Sequence, residues 1–140
     1  SGDLVRAVKR YREFLDTYKD SPDTAKAIYR LGMAYHRLGK LDDAAPLLEQ
    51  TLKSPDAASF ALAPAALGEI YFQRSEWKRA EDLLGRYIAA NADAPALDDA
   101  LLKYALALQR QEKYDAAMAG LDRLLADYAG SAHRLQALFE

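Results

Sequence analysis

The chain has 140 residues, 51% of them hydrophobic, with 19 basic residues against 21 acidic ones and a net charge of −2. That is enough chain and enough apolar content for a buried core. The charges are spread along the sequence, which excludes the concentrated positive stripe that nucleic-acid binding by counterion release requires. The absence of cysteine excludes disulfides, thiol nucleophiles and thiolate metal centres, and leaves the compartment open. The longest apolar-rich stretch, 59–72, contains Pro64 and Glu69, so no membrane span is expected. The opening Ser1-Gly2 reads as the scar of a removed tag, and targeting signals are expected to lie outside this sequence.

Over 3–19, Leu4, Val8, Tyr11, Leu15 and Tyr18 recur at steps of four and three, which places them on one face of a helix. The basic residues of 6–12 are interrupted by apolar ones and followed by Glu13 and Asp16, the pattern of a solvated face. Ser21-Pro22-Asp23 is a start signal: Ser21 is expected to cap, Pro22 to take the first helical position, and Asp23 to meet the positive end of the dipole. That helix runs to about Leu38, and Gly39-Lys40 makes the turn into a partner helix over about 41–53, with Pro46 early in it. Ser54-Pro55-Asp56 repeats the start signal, three residues further from its glycine. A helix is expected from near Ser59, with Pro64 in or just after its first turn. Helices follow at about 77–90, 96–111 and 114–128, and Gly130-Ser131 caps a last one over 131–140. The acidic pairs Asp42/Asp43, Glu81/Asp82 and Asp98/Asp99 all fall in first turns, where they complement helix dipoles rather than form acid–base pairs.

The helices repeat. Gly32 is followed twelve positions later by Ala44, Gly68 by Ala80 and Ala105 by Ala117, a period of 36 and then 37 residues. Around these anchors stand Leu31, Tyr35 and Leu48, then Leu67, Tyr71 and Leu84, then Tyr104, Leu108 and Leu121. Small residues where two helices cross, with larger ones on the flanks, are what close hairpin packing needs. On these residues, with Leu41, Trp77 and Tyr114 at the hairpin turns, the chain resembles the tetratricopeptide repeat (TPR) family. Its departures are Leu108 at a tyrosine position and a terminal proline kept only near Pro55. The boundaries around 14–22 and 124–131 also resemble "FLxxYPxSP" junctions of bacterial envelope TPR proteins, of the outer-membrane β-barrel assembly lipoprotein and Tol-Pal coordinator type.

The resemblance implies an all-α fold, a right-handed α-α superhelix (TPR solenoid) of stacked antiparallel helical hairpins. It would form a single array over 3–140: a second helix of a preceding repeat at 3–19, repeats at 21–53, 55–90 and 94–128, and a first helix of a following repeat at 131–140. It implies a non-catalytic interaction scaffold that binds a peptide, a helix or a partner domain in a concave groove lined by the first helices. Helical spacing from the small-residue anchors gives the groove candidates: Lys26, Tyr29, Met33, His36 and Arg37; then Leu62, Ala65, Glu69, Phe72 and Gln73; then Asp99, Leu102, Leu106, Gln109 and Arg110. The carboxylate clamp of chaperone-binding TPR domains is not expected, because Tyr29 and Met33 hold the positions of its first Lys and Asn.

No catalytic residue, metal or cofactor is expected. The two histidines, His36 and His133, are far apart in sequence, and no phosphate loop or nucleophile elbow occurs. Two other readings remain open. The terminal helices, with Leu135, Leu138 and Phe139 on the last one, could drive self-assembly into a structural array. The segment could equally be the regulatory TPR part of a larger enzyme or sensor. A periplasmic or cell-envelope location is expected, with the cytoplasm as the alternative.

Overall fold

The computed structural model describes residues 2–90 and 97–127, and every regular element among them is helical. In chain order these are α1 (Gly2–Thr17), α2 (Thr24–Arg37), α3 (Leu41–Leu52), a 3₁₀ turn (Ala57–Ser59), α4 (Ala63–Gln73), α5 (Trp77–Ala90), α6 (Leu97–Arg110) and α7 (Tyr114–Asp127). The helix expected over 131–140, its Gly130-Ser131 cap, His133 and the loop at 91–95 lie outside the described residues. The chain divides into two compact units, Ser1–Leu67 and Gly68–Glu140, with the boundary inside α4.

In the first unit α1 packs on α2, and α2 on α3. The core is built from Ala27, Leu31, Ala34 and Tyr35 of α2, Ala44, Ala45 and Leu48 of α3, and Phe60, Ala63, Ala66 and Leu67 further on. Each large apolar side chain fully buried this way stabilises the fold by about 1.5–3 kcal/mol relative to exposure. Gly32 is where α2 and α3 come closest: a Cβ there would lie 3.0 Å from Leu48 Cδ2 and 3.3 Å from Leu47 Cβ. The buried Thr51 hydroxyl is satisfied by donating to the Leu47 carbonyl at 2.9 Å.

Both Ser-Pro-Asp signals fold alike locally, and neither works as the sequence pattern predicts. The Ser21 hydroxyl accepts the Asp23 N–H at 3.2 Å, while α2 begins only at Thr24, whose own hydroxyl donates to the Tyr18 carbonyl at 3.1 Å. The Ser54 hydroxyl accepts the Asp56 N–H at the same 3.2 Å, but the chain there enters the 3₁₀ turn. The helix expected from Ser59 starts at Ala63 instead. Starting at 59 would put Pro64 in the interior, where its missing N–H and ring would break the ladder; starting at 63 puts it in the first turn.

In the second unit α5 packs on α6, and α6 on α7. Its core runs through Ile70, Tyr71, Ala80, Leu84 and Ile88 to Leu97, Leu101, Ala105, Leu108 and Ala117. Gly68 repeats the close approach of Gly32, more tightly: a Cβ there would meet Leu84 Cγ at 2.9 Å and Leu83 Cβ at 3.3 Å. A polar tie holds α5 to the turn before α7. Glu81 accepts from Lys113 Nζ at 2.6 Å and from Gln111 Nε2 at 2.9 Å.

All three hairpin turns are built the same way. Gly39, Ser75 and Glu112 adopt left-handed backbone with φ of 76°, 61° and 64°. The residue after each then reaches five positions back: Lys40 N–H to Tyr35 O, Glu76 to Tyr71 and Lys113 to Leu108, each at 2.9 Å. These are Schellman turns, which satisfy last-turn carbonyls and reverse the chain. Only the first has the glycine that this geometry favours.

Candidate functional site

The first helix of each hairpin is α2, α4 or α6, and these carry the residues that the repeat pattern nominates for binding. In the first unit, Tyr29, Met33, Arg37 and Leu62 come together around one cavity of about 240 Å³, which Leu4, Ala7 and Tyr11 of α1 close from the other side. Lys26 lines a neighbouring cavity of about 370 Å³ with Arg10, Tyr11, Phe14, Asp23 and Arg30. Tyr29 is half-buried because its ring stacks on Phe60, centroids 4.8 Å apart and planes at 28°. Burial pushes its hydroxyl pKa above the ordinary tyrosine value, and the Arg37 charge offsets only part of that. Tyr29 is therefore neutral at physiological pH and offers a flat aromatic face with a polar tip. His36 and Ala65 are half-buried and lie outside both cavities.

In the second unit the candidates fall into two groups. Glu69 and Asp99 share Lys103, which stands 3.4 Å from Glu69 and 3.0 Å from Asp99, and Gln73 donates to Glu69 at 3.3 Å. This network joins α4 to α6 through half-buried side chains. Phe72 meets Trp77 edge-on at 5.3 Å, and the Arg110 guanidinium lies 5.9 Å from the Trp77 ring. Leu102 and Leu106 are only 3% and 9% exposed, so the unit's own core takes them. Gln109 is half-buried between these groups and the hairpin turn, where its carbonyl accepts the Glu112 N–H at 2.9 Å. Among the described residues no set of three or more His, Asp or Glu side chains is placed to hold a metal ion. No helix among them is long and apolar enough to cross a membrane.

Family models described as tetratricopeptide repeat match residues 1–61, 37–95 and 99–131. The chain belongs to the tetratricopeptide repeat family. A curated relative, the cellulose synthase operon protein C of Pseudomonas fluorescens (strain SBW25), is 38% identical over 93 residues, a match that covers 66% of this chain and 7% of that protein. The chain thus spans a small part of the length of that relative. Among solved structures, MamA is similar at a TM-score of 0.76 and 25% identity, over 97% of this chain and 75% of that one. A Podosopora anserina structure of nearly identical TPR-like repeats is similar at 0.70 and 20% identity, over 97% and 74%. A second MamA structure, AMB-1, is similar at 0.68 and 22% identity, over 91% and 70%. The last two establish the fold alone, and the all-α TPR-solenoid class agrees with the hairpins described above.

Several residues of the TPR face were not nominated by the repeat pattern. Lys103 was legible, because it follows Asp99 by four positions on one helix. Trp77 was placed at a hairpin turn by the pattern, yet its ring forms a platform for Phe72 and Arg110. Phe60 gave no signal: it follows the irregular 3₁₀ turn, where neither helical nor strand periodicity applies.

Proposed function

We propose that this chain is a non-catalytic protein-interaction segment of a bacterial TPR protein, binding a peptide, a helix or a partner domain on the faces of its first helices. The observation that carries this reading is the cavity in the first unit where Tyr29, Met33, Arg37 and Leu62 converge, with Leu62 still 46% exposed. An aromatic ring, a flexible thioether and a rim guanidinium are the groups that supply contact area and register in protein recognition. In the second unit, Phe72, Trp77 and Arg110 offer a further aromatic-cationic platform. A cell-envelope setting is supported by the likeness to a cellulose synthase operon protein. The envelope lipoprotein and Tol-Pal type of resemblance remains part of this proposal, resting on the two boundary segments.

The test is affinity capture from cells of the source organism with the intact chain and with a Met33→Glu, Arg37→Glu, Phe72→Ala variant whose helicity is verified by circular dichroism. Recovery of specific partners is expected to fall by about tenfold or more, the scale of losing hot-spot contacts. Equal recovery by a correctly folded variant would remove the first-helix faces from consideration.

Self-association is the second reading, favoured by Tyr114 and Met118, which lie one turn apart on α7 and are 58% and 56% exposed. Light scattering over a concentration series, with Tyr114→Lys and Met118→Lys as probes, separates it from the first. A chain that stays monomeric at high concentration excludes it.

A further inference from the structure

We draw no further inference here: the strongest candidate, the aromatic-cationic patch formed by Phe72 near the end of α4, Trp77 at the start of α5 and Arg110 at the end of α6, belongs to the interaction faces already described, and nothing in the structure shows what covers it.

Discussion

The helices α1 and α6 have the same kind of amphipathic pattern and meet different fates. In α1, of 16 residues, none is buried. In α6, of 14 residues, Leu97, Ala100, Leu101, Leu102 and the run 105–108 are all buried. The difference lies in the neighbours: α6 packs against both α5 and α7, and α1 against α2. Periodicity states which face of a helix is apolar, and the number of elements available to cover that face decides how much of it leaves water.

That contrast predicts the largest effect. Leu101→Ala, at a side chain 2% exposed, is expected to cost about 2–5 kcal/mol in urea unfolding, from lost transfer energy and the cavity left behind. Leu15→Ala, on the half-buried face of α1, is expected to cost about 1 kcal/mol or less. Equal costs would mean that α1 is as well packed as α6.

The two glycine crossings sharpen the comparison between units. Gly68→Ala would press a methyl against Leu84 Cγ at 2.9 Å, a branch point that cannot swing aside, whereas Gly32→Ala meets first the terminal Leu48 Cδ2 at 3.0 Å. Overpacking costs about 1–3 kcal/mol, and alanine returns up to about 1 kcal/mol of helix propensity. Gly68→Ala is therefore expected to destabilise by about 1–2 kcal/mol and Gly32→Ala by less. Adding Leu84→Ala to Gly68→Ala should cost less than the sum of the two single changes, because the shortened side chain removes the clash.

A smaller effect of opposite sign is expected at the hairpin turns. Ser75→Gly and Glu112→Gly should each stabilise by about 0.5–1 kcal/mol, since side-chain-bearing residues there hold a left-handed backbone at a cost of about 1–2 kcal/mol. Gly39→Ala should lose about 1 kcal/mol for the same reason, with nothing within 4 Å of the added Cβ to contribute. Thermal melts of the three variants check the signs.

The fold was legible in the sequence because its signals are local and repeated. The anchors Gly32, Gly68 and Ala105, the turn at Gly39 and the alternation of apolar steps each act over one or two helical turns. The start of α4 was misplaced because Ser-Pro-Asp supports two outcomes, a helix after Ser21 and a 3₁₀ turn after Ser54, and Pro64 decides between them from eight residues downstream of Asp56. The grouping of the candidate residues was legible in part. Helical spacing nominated Tyr29, Met33 and Arg37 together, and they share one cavity. The same spacing nominated Leu102 and Leu106, which lie in the core, because a residue's turn on a helix does not say which neighbour packs over it.

The subtlest difference between the units concerns acid. Burial alone would raise the pKa of Glu81, but hydrogen bonds from Lys113 and Gln111 and the charges of Lys113 and Lys78 outweigh it, so the carboxyl is held below its ordinary value of 4.5. A depressed carboxyl contributes stability that is fully present above its unfolded-state pKa and is lost as pH falls through the folded-state pKa. The second unit should therefore lose a small increment of stability as pH drops from neutral to below the ordinary carboxylate range. Glu81→Gln should remove that increment at neutral pH and flatten this part of the acid limb. The size is modest, because Lys113 is 41% exposed and water screens the pair: a double-mutant cycle of Glu81→Gln with Lys113→Met should give a coupling of about 0.5–1 kcal/mol. Amide hydrogen exchange at pH 7 and pH 4 assigns the loss to a region, since the tie joins α5 to the α6–α7 turn and no residue of α1–α3 takes part. Faster exchange at low pH confined to α5–α7, and abolished by Glu81→Gln, would locate the increment at this tie. A loss shared equally with α2 and α3 would assign it to carboxylates elsewhere.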